Sequence, residues 1–417
     1  MRLIAILITT LLAVNNCPAK PLDRVAILER AIAVAPEVET AKASLSEAAA
    51  NIISAKVTPQ PELEFEMEEV GIDRPGISDS EMAVTWSRDI EPKRRRRLRI
   101  NVAKAEGNVN KAQLRTELLV YLYEVTEAFY EVAAKDLKLQ LAKEQEKLAQ
   151  DLLDVAKKRV RAGATPGLEE ERASIEHAAT KIDTESARLT LDAARKRLAE
   201  FLNWNPNKLG SLETSAIDER SVPSAKKAKE KMQLFHPELL ASKEELFAQG
   251  LSIDLARNEQ LTTWRTMAGV QHFTGNSEQA LVLGISVPLG NRKRNKGALL
   301  AAKAREKRVK HELQVLGRSL ERKLNLALAT AHRAQSILKS IDSTILPRAE
   351  AVFSAVKEGY LRGELSYADL LEARRALVGA SKKRVAALIE FREAHIEVEK
   401  ACGGTESLHT LVEEVLQ

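Results

Sequence analysis

The chain contains 417 residues, of which 29% are charged and only 4% are aromatic, and its formal net charge is +5. The near-balance of charge argues against a protein that binds polyanions, and the scarcity of large rings argues against ordinary globular cores. Alanine, leucine, glutamate, lysine and arginine are frequent, as in long helices and coiled coils. No run of 18 apolar residues occurs, so the sequence predicts no transmembrane helix.

Residues 1–19 are predicted to be a secretory signal peptide. Arg2 supplies a positive charge, an apolar stretch too short to span a bilayer follows it, and Cys17-Pro18-Ala19 places small residues at the expected cleavage position. The alternatives are an N-terminal helix of the fold and a lipoprotein anchor at Cys17. Once the leader is removed, Cys402 is the only cysteine, which excludes an intramolecular disulfide and a cysteine metal site.

The mature chain begins with a helical pattern that is interrupted at Pro36, because proline breaks the hydrogen-bond ladder of a helix. Residues 62–68 and 81–87 then alternate between apolar and polar side chains, which predicts a β-hairpin over residues 61–90. A helix without proline follows from Lys93 to Thr165 and would be about 100 Å long. Its predicted packing seam has coiled-coil spacing and contains Leu118, Leu122, Val125, Phe129 and Val132.

Residues 163–167 are predicted to be the tip of a long α-hairpin. Gly163 suits a helix C-terminus, because glycine adopts the left-handed conformation without steric cost. Thr165 followed by Pro166 is typical of an N-cap with proline at the first helical position. A second helix is predicted from there to about residue 203. It should pack through residues with the same spacing: Ile175, Ala179, Ile182, Ser186, Leu189 and Ala193.

The second half of the chain repeats this order of elements. Gly163 and Gly363 are 200 positions apart (363 − 163), and the second half is predicted to contain a β-hairpin over residues 263–289 and a tip over residues 363–366. Its first long helix should be bent or broken at Pro347. The predicted divisions are a first structural repeat at 20–203, an inter-repeat linker at 204–235, a second structural repeat at 236–402 and a C-terminal tail at 403–417.

The four predicted strands have about the length that crosses a bilayer, and each has one apolar face. Four strands cannot close a barrel, and lipid does not tolerate an open sheet edge. Three copies would supply 3 × 4 = 12 strands, enough for a closed barrel with an interior channel. The alternative is a sheet packed on the helices of a soluble protein. In a barrel, the lumen would be lined by Glu62, Glu64, Glu66 and Glu68, and the lipid or its interface would meet Phe65, Trp86, Trp264, Leu283 and Ile285.

Several motifs stand at matching places in the two halves. Pro36 and Pro237 each open a helix and are followed by glutamate, and the strand-to-helix passages at 87–95 and 286–294 correspond. The segment 360–373 combines Tyr-Leu-Arg-Gly with Asp-Leu-Leu-Glu-Ala. In their order and spacing, these motifs resemble the outer membrane efflux proteins of the TolC type over nearly the whole mature chain.

The resemblance implies a mainly α fold with a small β part. Duplicated long α-hairpins would form a trimeric α-barrel tunnel, and four strands per chain would contribute to a 12-stranded transmembrane β-barrel. It also implies a homotrimeric, passive exit duct in the outer membrane of a Gram-negative cell, spanning into the periplasm. A periplasmic adaptor protein and an inner-membrane pump of the RND type would be its partners. The compact size and short strand loops resemble the branch that serves heavy-metal cation exporters.

The resemblance also assigns residues to the tips. Asp369 and Glu372 match acidic residues that narrow the periplasmic entrance, and Glu169 and Glu170 stand where an aspartate is common at the first tip. The alternative role for these carboxylates is compensation of the helix dipole. Leu365 stands where some members have an arginine that holds the closed tip. The residues expected to contact an adaptor are Arg161, Gly163, Thr165, Pro166, Gly167, Tyr360, Arg362, Gly363 and Glu364.

Other classes of function find less support in the sequence. The basic runs at 93–99 and 292–296 follow strands directly, so we place them at the periplasmic headgroup boundary or at a solvated helix start, and the secretory leader argues against nucleic acid. The histidines lack metal-binding spacing, and no nucleophile elbow, phosphate loop or pair of catalytic carboxylates is present, so we expect no enzyme, cofactor or bound metal. A channel of type I polypeptide secretion and a periplasmic coiled-coil adaptor or scaffold remain alternatives.

Overall fold

The computed structural model describes residues 22–68, 80–210, 212, 221–259, 263–275, 278–288 and 295–416. The predicted signal peptide with Cys17, most of the loop of the first β-hairpin and most of the second basic run lie outside these residues. The chain divides into two compact units. The first unit comprises the residues up to Ala35, Leu122–Val222 and Leu328–Ile396, and the second comprises Pro36–Tyr121, Pro223–Ala327 and Glu397–Gln417.

The described elements follow the predicted order of helices, strands and tips. Two short helices were not predicted: one forms part of the inter-repeat linker and the other forms the tail. The elements are α1 (Arg24–Val34), α2 (Pro36–Lys56), β1 (Glu62–Glu68), β2 (Glu81–Ile90), α3 (Lys93–Arg161), α4 (Leu168–Phe201), a 3-10 turn (Pro206–Lys208), α5 (Ala225–Phe235), α6 (Pro237–Asn258), β3 (Trp264–Phe273), β4 (Glu278–Ser286), α7 (Lys296–Ser340), a π-helix (Ile341–Ile345), α8 (Leu346–Arg362), α9 (Tyr367–Ala401) and α10 (Glu406–Val415).

The two hairpins join into one antiparallel sheet in the second unit, with the strand order β1-β2-β3-β4. The register places Trp86 opposite Leu63 on one side and opposite Ala268 on the other, and Ala268 lies opposite Leu283. Side chains of one cross-strand row share a face of the sheet, so these apolar residues form a common surface. β1 and β4 are the edge strands and have no strand neighbour on their outer side among the described residues.

The packing of the long helices agrees with the predicted seam of α3 but not with that of α4. All five seam residues of α3 are buried. On α4, Ile175, Ile182 and Leu189 are 55–71% exposed, whereas Ala173 and Thr180 are buried. The α4 stripe is therefore not covered by the described residues of its own chain, and its role in packing stays a prediction. Heptad spacing identifies a stripe suited to helix packing, but it does not say which chain supplies the partner.

Four helix ends share one hydrogen-bonded geometry with a residue at positive φ. Gly163 has φ +69°, Gly363 has φ +84°, Gly403 has φ +91° and Asn203 has φ +50°. In each case the next residue donates its backbone N–H to the carbonyl five positions earlier, over 2.9–3.0 Å, as in a Schellman motif. Positions 163 and 363 are 200 residues apart, and so are positions 203 and 403 (403 − 203), so the repeated spacing extends to the ends of both hairpins.

The start of α4 differs from its prediction. The helix begins at Leu168, two residues beyond Pro166, and Gly167 is its N-cap without a side-chain bond. Thr165 is therefore not the cap. At the second tip the cap is a side chain, because Ser366 and Asp369 bond reciprocally: the Asp369 N–H donates to Ser366 Oγ (3.2 Å), and the Ser366 N–H donates to Asp369 Oδ2 (3.0 Å).

The predicted interruption near Pro347 is confirmed. A π-helix separates α7 from α8, and Pro347 lies in the first turn of α8, where a missing N–H costs least. No helix in the described part of the chain combines the length and apolar character needed to cross a membrane.

Candidate functional site

The two tips lie in the first unit, and Tyr360 links their helices. Its ring is 1% exposed, and its hydroxyl donates to Glu169 Oε2 on α4 over 2.9 Å. The Arg159 guanidinium from α3 lies over the same ring, 4.2 Å from the centroid, and donates to the Tyr360 carbonyl. A single residue of α8 thus contacts both helices of the first hairpin through charge-assisted and cation–π interactions.

Apolar packing holds this link in place. Tyr360 and Tyr367 lie 5.9 Å apart between ring centroids, within a cluster of apolar residues from both hairpins. Burial, followed by the hydrogen bond to Glu169, raises the pKa of Tyr360 above its usual value, so its hydroxyl stays a donor. Gly359 lies beside it, and a Cβ there would be 2.7 Å from Leu365 Cδ1, so the Leu365 side chain would have to move.

A second polar link lies one heptad further along α4. Arg374 of α9 has a side chain that is only 5% exposed, and its Nη1 donates to Glu176 Oε1 over 2.6 Å. The two bonded carboxylates are seven residues apart (176 − 169), so they occupy the same face of α4. The hairpins are therefore joined by two ionic or charge-assisted bonds on a shared helix face.

The four acidic residues predicted for the constriction have different surroundings. Asp369 and Glu372 are exposed, whereas Glu169 and Glu170 are half-buried. Hydrogen bonds from Ser366 lower the pKa of Asp369, so this carboxylate is ionised near neutral pH. The Asp369 carboxylate accepts a hydrogen bond from the Ser366 hydroxyl in the cap of α9. The Glu169 carboxylate accepts one from the Tyr360 hydroxyl.

Most residues predicted to contact an adaptor lie at the surface. Arg362 and Glu364 form a bidentate ion pair with two 3.0 Å bonds, and this pair lowers the pKa of Glu364. Thr165 is half-buried. Tyr360 is the exception: it is buried between the hairpins, so in this conformation its ring cannot meet a partner. The exposed residues of the set are Arg161, Gly163, Pro166, Gly167, Arg362, Gly363 and Glu364.

One face of the sheet is apolar and exposed. Leu63, Phe65, Leu283 and Ile285 are each 65–75% exposed, although such side chains are normally covered. Residues 264 and 90 are opposite each other, so Trp264 lies near the same end of the sheet as Trp86. An apolar surface of this extent indicates contact with lipid or protein.

The other face is polar and acidic. Glu62, Glu64, Glu66 and Glu68 project from β1 to this side, together with further carboxylates of β2 and β4. Arg265 is bound by Asp89 over 2.8 Å and lies 3.5 Å from Glu62. Apart from Arg88, the charged residues of the four strands therefore lie on one face, an arrangement that suits a wall between lipid and water.

The described residues contain no group of three or more histidine, cysteine, aspartate or glutamate side chains placed to hold a metal ion. The site consists instead of surfaces: the tips with their buried links, and the two-faced sheet.

Comparisons of the sequence and of the fold with known proteins identify the same group of relatives. The family model described as outer membrane efflux protein matches residues 27–203. The cobalt-zinc-cadmium resistance protein CzcC of Cupriavidus metallidurans is 26% identical over 389 residues, which cover 92% of this chain and 91% of that protein. By this match and this relative, the chain is similar to the outer membrane efflux proteins.

Solved structures of efflux channels share the fold. The crystal structure of CusC matches with a TM-score of 0.76 at 17% identity, over 92% of both chains. The open state of the MtrE outer membrane channel of Neisseria gonorrhoeae matches with a TM-score of 0.71 at 17% identity, over 91% of this chain and 89% of that one. The predicted fold class, long duplicated α-hairpins with four strands that belong to a β-barrel, is thereby confirmed.

The family match over residues 27–203 confirms the resemblance noted in the sequence. The family consists of channel proteins rather than enzymes. What the sequence did not reveal are the long-range links of Tyr360 and Arg374. Their partners lie 191 and 198 positions away, so no local pattern indicates them. The 200-residue repeat was the one signal for these links, because it relates the first tip to the second and so suggests that residues about 200 positions apart could meet.

Proposed function

We propose that three copies of this chain form an exit duct in the outer membrane of a Gram-negative cell. The observation that carries this proposal is the sheet, whose exposed apolar face and two edge strands are incomplete in one chain. Leaving the four side chains of Leu63, Phe65, Leu283 and Ile285 in water would cost on the order of 8 kcal/mol per chain at about 2 kcal/mol each. A closed barrel of three copies would cover both the face and the edges.

The exposed stripe of α4 supports the same assembly. Leu168, Ile175, Ile182 and Leu189 recur every seven residues and are 55–71% exposed. A neighbouring copy supplies the simplest partner for a coiled-coil stripe that its own chain leaves uncovered. Assembly through this stripe would enclose a helical tunnel, with Asp369, Glu372 and Glu170 narrowing it at the tips and the β1 glutamates lining the barrel.

Partner proteins would supply the energy for export. The exposed tip residues, including the Arg362–Glu364 pair, would receive a periplasmic adaptor protein, and an inner-membrane pump of the RND type would drive export through a passive duct. The similarity to a cobalt-zinc-cadmium resistance protein favours divalent metal cations as the substrate. This similarity also favours metal efflux over type I polypeptide secretion, which would use the same fold.

Extraction with detergent from outer-membrane fractions, followed by mass measurement in solution, tests the assembly. We expect a trimer, and Ile182→Lys should prevent it, because the stripe would then bury three charges. Ser174→Lys, at an exposed position beside the stripe, is the control and should leave the trimer intact. A soluble monomer or dimer of the native chain would contradict the proposal. Loss of cobalt, zinc and cadmium resistance on deletion of the gene, restored by the native chain, would establish the substrate class.

A further inference from the structure

The apolar face of the sheet contains one charged residue among those that the structure describes. On β2, Arg88 lies between Trp86 and Ile90 in the alternating pattern, so its side chain shares the face of the apolar residues. It is exposed, and within the described part of the chain no carboxylate pairs with it. An arginine that faces lipid is costly at the middle of a bilayer and nearly free at its surface. Arg88 therefore marks the level of the headgroups.

The two tryptophans of the sheet are found at the same level. Trp86 precedes Arg88 by two residues on its face, and Trp264 lies opposite Ile90 on the adjacent strand. Both indole rings are about half exposed. Tryptophan prefers the boundary between acyl chains and headgroups, so the arginine stands between two side chains suited to that depth.

The next cations in the chain divide between two faces of the α3 start. Arg96 and Arg99 turn towards the end of α2 and donate to its last carbonyls: Arg96 donates to Lys56 O (3.0 Å), and Arg99 donates to Ala55 O (3.1 Å) and Val57 O (2.9 Å). Arg99 also donates to Glu91 over 2.5 Å. These arginines cap the C-terminus of α2, which explains two of the six cations of the basic run without a ligand.

Arg95 donates to Thr263 over 3.0 Å, and the three remaining cations of the run have no such role. Lys93, Arg94 and Arg97 are exposed and recur at helical spacings of three and four, so they share the opposite face of α3. The far end of the sheet carries acidic residues instead, among them Glu68, Glu81 and Glu278. The sheet therefore has a cationic end, next to the helices, and an anionic end.

We propose that Arg88, Lys93, Arg94 and Arg97 form a binding surface for the phosphate groups of anionic phospholipids in the leaflet next to the helices. The inference rests on the proposed function, since it requires a sheet that spans a bilayer. Arginine binds phosphate oxygens through two parallel N–H donors, and the exposed lysine adds a further positive charge. By binding these phosphates, the surface would fix the depth of the barrel in the membrane. It would also favour anionic over zwitterionic lipids in that leaflet.

The test measures lipid retained by the purified trimer, by native mass spectrometry after reconstitution in phosphatidylcholine vesicles with or without added phosphatidylglycerol. The native protein should retain phosphatidylglycerol in preference to phosphatidylcholine, and salt should weaken the preference. Arg88→Gln should lower it about fivefold, the effect of one cation at a membrane surface. The triple variant Lys93→Gln, Arg94→Gln, Arg97→Gln should lower it further and leaves the strands untouched.

Arg265→Gln is the matched control, because it removes a cation from the same level of the sheet but from the opposite face. It should leave lipid retention at the native value. A native trimer that conducts but shows no preference for phosphatidylglycerol would overturn this inference alone. It would also be overturned, without affecting the proposed channel, if Arg88→Gln and the triple variant retained phosphatidylglycerol as the native protein does. A chain that does not insert into vesicles would overturn both this inference and the proposed channel.

Discussion

Replacing Tyr360 by phenylalanine should weaken the link between the two hairpin tips. The substitution keeps the buried ring and the overlying Arg159 but removes the hydroxyl that donates to Glu169 over 2.9 Å. A hydrogen bond to a charged group contributes about 1.5–3 kcal/mol. Because Glu169 is half-buried and can recruit water, the low end applies, about 1.5 kcal/mol. This corresponds to about a tenfold rise in the population of the separated tips.

Hydrogen exchange of the tip amides measures this directly. Protection of the backbone around Gly163 and Gly363 should fall about tenfold in Tyr360→Phe, and open probability in planar bilayers should rise by a similar factor. Tyr367→Phe is the control, since this tyrosine belongs to the same cluster and its hydroxyl makes no hydrogen bond that the described residues show. Equal protection in the two variants would refute the reasoning. Because the pKa of Tyr360 is raised, its hydroxyl keeps the proton that it donates to Glu169 at any pH below 10. This hydrogen bond is lost as the pH rises through the raised pKa.

Three further predictions follow from single positions. Gly163→Ala should cost about 1 kcal/mol in thermal unfolding, because φ is +69° and no atom lies within 4 Å, whereas Gly167→Ala at φ −55° should be neutral or stabilising. Burial, followed by the charge of Lys323, lowers the pKa of His236 from 6.5 to about 4. Folding favours its neutral form, so about 3 kcal/mol of stability should be lost as the pH falls from 6.5 towards 4, and His236→Gln should flatten this acid limb in urea unfolding. Glu64→Gln should lower the cation-to-anion permeability ratio of the trimer, and an unchanged ratio would exclude this carboxylate from the lumen.

The sequence predicts those features that depend on local chemistry. Period-2 alternation located all four strands within a few residues, and Gly163 was correctly placed at a left-handed helix end. Thr165 shows the limit of such rules. It has the residue type of an N-cap, but the turn places Gly167 there, because two further residues are needed before the chain re-enters a helix.

The sequence does not identify features that depend on distant partners. The stripe at Ile175 and Ile182 has the spacing of a packing seam, and only the structure shows that its own chain leaves it uncovered. The basic run likewise gives no sign that Arg96 and Arg99 cap the end of α2 some forty residues earlier. Residue type indicates what a side chain can bind, and the fold decides which partner it meets.

The four left-handed helix ends imply that the two repeats are no longer interchangeable. Asn203 adopts φ +50° with a side chain, so its surroundings admit one. At the corresponding position, a Cβ on Gly403 would come within 2.7 Å of the His236 Cα, in backbone that cannot swing aside. Glycine can replace asparagine at the first position, but asparagine cannot replace glycine at the second. A synthetic chain that keeps the second repeat would therefore have to carry glycine at position 403, whereas position 203 admits either residue.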